Sequence, residues 1–112
     1  INGELSYQAK IESTVSRSRM GKHVTFGENG ILYVGSPQFS HWLEIEEGRI
    51  LAFKNIAITK GELSDDKAFE MYSSHTNGSR FGEKIIERNG KLYGSAPFTI
   101  NEDFKGQLLI IN

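Results

Sequence analysis

The residues of this chain that could do chemistry are few, and their spacing suits none of the usual reactions. The histidines, His23, His41 and His75, are scattered, and none has a second histidine at the short spacing of a zinc site. Two acidic pairs, Asp65-Asp66 and Glu102-Asp103, place their carboxylates on adjacent rather than alternate residues. A hard cation collects about six or more oxygens, several of them from carboxylates at alternate loop positions, so both pairs read as solvated turns. With no cysteine in the chain there is no thiol nucleophile, thiolate ligand or disulfide, and the compartment stays open on that count. No serine lies in a nucleophile elbow, and the glycines are single and turn-placed rather than gathered into a phosphate-binding loop. The residues thus offer no catalytic, cofactor or metal site.

Charge narrows the partners. The cluster Arg17, Arg19 and Lys22 is small, and the formal net charge is −1. That balance sets up no field to draw in nucleic acid or an anionic membrane, so the cluster reads as a solvated turn. No apolar run approaches the roughly 20 residues of a spanning helix. One modification site is spelled out: Asn77-Gly78-Ser79 is a sequon that would carry a glycan on Asn77 in a secreted protein.

What the chain does have is repetition. Ser18-Arg19-Met20-Gly21 returns as Ser79-Arg80-Phe81-Gly82, and Asn29-Gly30-Ile31-Leu32-Tyr33 as Asn89-Gly90-Lys91-Leu92-Tyr93. Pro37 and Pro97 close the second stretch of each copy, and Gly48 and Gly106 each lead a further apolar stretch. The offset is 60, or 61 at the leading glycine. A period of that size in glycine-punctuated, strand-like units belongs to propeller blades more than to helical solenoids.

The elements follow from alternation and turn chemistry. Leu5, Tyr7, Ala9 and Ile11 alternate with polar residues, the mark of a half-buried strand. His23 to Phe26 is a short β-prone run, and the Asn-Gly after it is the strongest short hairpin signal. Residues 31–34 read as a strand buried on both faces, residues 38–47 as an exposed loop carrying Trp42, and residues 48–54 as a third strand. The second unit repeats the plan at 67–72, 83–87, 92–93 and 107–111, with room for one helical turn within 64–71. The reading is an all-β chain of two units, 1–55 and 56–112, each with one outer strand followed by three strands in hairpin sequence.

At Phe81-Gly82 and Gly94-Ser95-Ala96-Pro97 the second copy resembles the FG-GAP repeat, the blade unit of the seven-bladed propellers of integrin α-chains and of GPI-specific phospholipase D. The first copy, Met20-Gly21 with Gly35-Ser36-Pro37, is a degenerate match, and the last 40 residues are most similar to the C-terminal propeller of the phospholipase family. The resemblance implies two four-stranded antiparallel blades of a β-propeller completed by another chain, and a secreted glycoprotein. It implies a non-catalytic scaffold, a cleaved light chain of a hydrolase whose zinc-dependent catalytic part acts on GPI anchors at a membrane surface. Zinc and calcium would then belong to the partner chain. The calcium loop of many FG-GAP units is not matched: Gly27-Glu28-Asn29-Gly30 and Glu87-Arg88-Asn89-Gly90 hold too few carboxylates. Integrin-like adhesion through the 38–47 loop, and a stand-alone sugar-binding domain using Trp42 or Tyr93, are the alternatives.

Within that motif each repeat residue has an expected task. Gly21 and Gly82 would sit where strands crowd and a Cβ would clash, with Gly35 and Gly94 closing the strands that follow. Phe81 would be an apolar wedge between blades, and Pro37 and Pro97 would end strands where no ladder donor is wanted. The chain opens on Ile1, which reads as a processed, cloned or proteolytic piece, and it runs out at Asn112 after the third strand of the second unit. Both ends then expose sheet edges that natural proteins cover, and the expected cover is a larger chain carrying the remaining blades.

Overall fold

A computed structural model describes residues 9–15, 18–28, 30–38, 48–56, 60–73, 79–97 and 106–111. Their regular structure is nine strands: β1 (Ala9–Glu12), β2 (His23–Phe26), β3 (Leu32–Ser36), β4 (Arg49–Phe53), β5 (Gly61–Ser64), β6 (Glu70–Tyr72), β7 (Ile85–Arg88), β8 (Lys91–Ala96) and β9 (Gln107–Ile111). A 3-10 turn at Asp65–Lys67 links β5 to β6. The described chain is all-β. β2-β3-β4-β6 form a four-stranded antiparallel sheet, β7-β8-β9 a three-stranded antiparallel sheet, and β1-β5 a parallel pair.

The two antiparallel sheets have the same register. In the first, Val24 opposes Val34, Thr25 opposes Tyr33, Tyr33 opposes Ala52 and Val34 opposes Leu51. In the second, Ile85 opposes Gly94, Ile86 opposes Tyr93, Tyr93 opposes Ile110 and Gly94 opposes Leu109. All the described partners in β2-β3-β4 except His23 with Gly35 map onto partners in β7-β8-β9, at offsets of 61, 60 and 58 for the successive strands. Tyr33 and Tyr93 are equivalent. The drift in offset is loop length alone. In the second hairpin Arg88 opposes Lys91 across Asn89 (φ 54°) and Gly90 (φ 80°), the paired positive φ of a type I′ turn. In the first hairpin Gly27 N–H donates to Ile31 O at 2.8 Å, which leaves one more residue in the loop.

The two inner strands of the first sheet, β3 and β4, are buried on both faces. One face packs Tyr33, Ile50 and Ala52 against Ile85, Leu92 and Ala96 of the second sheet, with Phe81 among them. The other gathers Val34, Leu51 and Phe53 beneath Ile11, Met20, Leu32, Ile56 and Ala68. Burying one such side chain is worth roughly 1.5–3 kcal/mol, so these two clusters set the fold. β6 lies against β4, with Leu51 opposite Met71; a segment from beyond residue 56 thus completes the first sheet. The second sheet shows three strands among the described residues.

β5 and its parallel pairing with β1 were not expected. Leu63 is the one large apolar residue of β5, so alternation gives no strand signal there. Ala9 to Glu12 pairs residue by residue with Gly61 to Ser64, and Lys10 bridges to Glu12 (3.1 Å) and Glu62 (3.2 Å). Both carboxylates hold the exposed Lys10 ammonium above its usual range, Glu12 more than Glu62.

Candidate interaction site at the sheet-to-sheet junction

The junction is built where two backbones touch. Phe81 is fully buried and makes an isolated parallel bridge with Gly48. A side chain on Gly48 would collide with the Phe81 backbone, and one on Gly35 with the Gly82 carbonyl. A Cβ on Gly82, whose φ is +98°, would lie 2.7 Å from Arg49 O and 3.3 Å from Gly35 Cα. Gly35, Gly48 and Gly82 are therefore the positions that let the second unit seat against the first. The crowding expected at Gly82 is present.

Gly21 is a correction. Its backbone has the same left-handed turn (φ +90°), but a Cβ there meets nothing within 4 Å. Its N–H donates to Gly35 O (3.0 Å) as Gly82 N–H donates to Ser95 O (3.0 Å), so the turn is common to both copies. The close neighbour is not: Gly82 has the first sheet against it, and Gly21 has open space.

Gly35 and Gly94 do different jobs. By strand pairing Gly35 corresponds to Ser95, and Gly94 to Val34. A Cβ on Gly94 would come within 2.5 Å of Phe81 Cε1 and 2.7 Å of Ile50 Cδ1. Gly94 is the floor under the Phe81 ring. In the first copy Met20 packs against the cluster of Val34, Leu51 and Phe53, a slimmer side chain in place of Phe81, and Val34 takes the place of Gly94. Pro37 and Pro97 each stand one residue past the end of β3 and β8, the stop expected of them.

Polar groups tie the sheets together. Ile85 N–H donates to His23 Nδ1 at 2.9 Å, so His23 is a cross-sheet acceptor. Glu87, 9% exposed, accepts from Glu28 N–H and Gly90 N–H, both at 3.1 Å. One carboxylate thus joins the two Asn-Gly turns. Lys22 Nζ lies 3.9 Å from Glu83 Oε1 across the same junction. Sequence reasoning missed the Glu87 role, although alternation in Ile85-Ile86-Glu87-Arg88 puts Glu87 on the inward side with Ile85.

Asp65 is a second correction: it is no solvated turn. It is 3% exposed, and its carboxylate accepts from Ser13 Oγ (2.7 Å), Thr14 N–H (3.0 Å) and Thr14 Oγ1 (2.7 Å). Three donors arriving from the chain after β1 compensate its burial. Asp66 beside it is exposed.

Among the described residues no group of three or more His, Asp or Glu could hold a metal ion, and no helix is long and apolar enough to cross a membrane. Arg17, His41, Trp42, His75 and the glycan acceptor Asn77 lie outside the described residues. No protein-family model and no curated protein matches the chain. The functional reading therefore rests on the junction itself.

Proposed function

We propose that this chain is a non-catalytic scaffold: two consecutive FG-GAP-type blades of a β-propeller whose remaining blades lie on a larger partner chain. The observation that carries this reading is the coincident register of β2-β3-β4 and β7-β8-β9, with Phe81 packed between them. Matching pairing at a repeat length near 60, joined by a wedge and a close glycine contact, is how a modular β architecture stacks its units. The parent in this proposal is a secreted GPI-specific phospholipase D-like hydrolase, with the zinc chemistry on the partner and Asn77 glycosylated.

The test is affinity capture of the natural protein through an antibody to this chain, followed by intact-mass measurement and a GPI-anchor cleavage assay. A co-purifying larger chain, with cleavage by the complex and none by the separated 112-residue chain, supports the proposal. A chain captured alone overturns it. A mass shift at Asn77 on deglycosylation is the expected sign of the secretory route.

A further inference from the structure

The second sheet turns one face away from the first, and that face has a chemistry of its own. The register sets Ile86, Tyr93 and Ile110 in one row across β7, β8 and β9, with Ser95 and Leu108 in the next. Ile86, Leu108 and Ile110 are 57%, 63% and 59% exposed, whereas Leu109 and Ile111 on the opposite side of β9 pack into the core. Isolated exposed apolar residues need no explanation; these are neighbours across paired strands. Arg88 and Lys91 oppose each other at the hairpin end of the same face. At its other end Lys84 N–H donates to Ser95 Oγ, and Lys84 O accepts from Ser95 N–H. Lys84, Arg88 and Lys91 are all exposed, and none has an ion-pair partner among the described residues. No carboxylate shares this side of β7 and β8, since Glu87 faces inward with Ile85.

The internal junction supplies a precedent for the cover. The equivalents of Tyr93, Leu108 and Ile110 on the first sheet are Tyr33, Ile50 and Ala52, and these are packed under Ile85, Leu92 and Ala96 of the second. The covering sheet is acidic toward the sheet that receives it: Glu83 reaches Lys22, and Glu87 accepts from Glu28 N–H. At the receiving positions the second sheet is more basic than the first. Lys84 stands for His23, Arg88 for Gly27 and Lys91 for Ile31.

We propose that the larger chain docks on this face through a β-sheet with an apolar centre and carboxylates set against Lys84, Arg88 and Lys91. This rests on the blade reading above and deepens it, giving that chain a place of attachment and a charge. The far face of the first sheet is no alternative, because Val34, Leu51 and Phe53 at its centre lie under the chain's own Ile11, Met20, Ile56 and Ala68. A second copy of this chain, presenting the same face, would bring the same cations and no carboxylate to meet them. The docked sheet also stands further off than the second sheet stands from the first. Gly35 leaves room for the Gly82 carbonyl, whereas Ser95 in its place carries a Cβ. The joint therefore depends on apolar fit and charge, without a close backbone contact at that point.

The experiment starts from the natural complex captured through this chain. A carbodiimide, which joins an ammonium to a carboxylate in direct contact, should cross-link Lys84 and Lys91 to Asp or Glu of the larger chain. Tagged variants of the full chain, produced together with the larger chain, then test the same face by the amount of larger chain each retains at low and high salt. Ile110→Glu should retain at least roughly tenfold less, since a carboxylate would be desolvated in the apolar centre. Lys91→Glu should retain less at low salt and lose the salt dependence of wild type. Lys60→Glu, the same charge change at an exposed site outside this sheet, should behave as wild type. Cross-links confined to other lysines, or Ile110→Glu and Lys91→Glu that retain the larger chain like wild type, overturn the docking face and leave the blade reading standing. A chain captured with no larger partner overturns both. Binding to anionic lipid vesicles, or self-association, that Ile110→Glu abolishes while the larger chain stays bound overturns the proposal by giving the face to a membrane or to a copy.

Discussion

Wedge and floor are matched in volume. Phe81 lies over Gly94, and at the equivalent positions Met20 joins the cluster that contains Val34. Gly94→Val should therefore destabilise the chain by about 1–3 kcal/mol, the usual range for overpacking. Adding Phe81→Met should recover part of that loss, a coupling that a double-mutant cycle in urea would read; strict additivity would count against the match. Glycine positions divide by the same logic. Gly21→Ala meets a backbone cost alone, about 1–2 kcal/mol for a left-handed residue. Gly82→Ala adds a collision with Arg49 O and should cost more, so equal urea midpoints for the two variants would contradict the close approach.

At the scale of elements, β6 and the Asp65 turn carry the most direct tests. Tyr72 on β6 has its phenol raised above the ordinary value of 10.0 by burial first, then by Tyr33 and Glu70. A raised folded-state value means that the unfolded chain ionises first. Stability present below pH ~10 should therefore fall as pH climbs through the Tyr72 titration. Tyr72→Phe should flatten that alkaline limb in a pH series of thermal melts. Asp65→Asn replaces a double acceptor by a group with one acceptor oxygen, facing three donors; a loss of about 1–3 kcal/mol is expected. Hydrogen exchange should place the loss at β1 and β5, leaving β7 and β8 protected. These elements also mark what the sequence made legible. Asn89-Gly90 announced its hairpin because its backbone geometry is demanded locally. β5 was hidden because its pairing lies 52 residues away at β1 and its own pattern is nearly all polar. Asp65 looked solvated because its three donors are distant in sequence.

For the whole molecule, repetition was the legible feature, and strand pairing bears out the equivalence of Tyr33 and Tyr93. The junction was half legible. Phe81 and Gly82 were marked by the repeated motif, whereas Gly48, His23 and Glu87 gained their roles only when the second sheet lay against the first. A hydrophobic fraction of 38%, an exposed apolar face at Ile86, Leu108 and Ile110 on the second sheet and no disulfide give a thin margin against an ordering cost of roughly 1–2 kcal/mol per residue. The isolated chain should thus lack a sharp cooperative thermal transition at any concentration, and a larger chain that covers the second sheet should restore one, as mass action requires of a fold completed by association. Calorimetry at several concentrations checks this. A sharp, reversible transition of monomeric chain, unmoved by concentration, would contradict it.

The parallel pair also sets an order of assembly. β1 and β5 flank β2, β3 and β4 in sequence, so they meet only by closing a loop that spans three strands of the first sheet. Loop closure costs entropy that grows as about (3/2)RT ln n and has to be met before the new contacts form. Each of β2-β3 and β3-β4, by contrast, pairs sequence neighbours. β1 should therefore zip onto β5 late in refolding, and the hydrogen bonds to Asp65 should be nearly absent from the transition state. Asp65→Asn would then speed unfolding and leave the refolding rate almost unchanged.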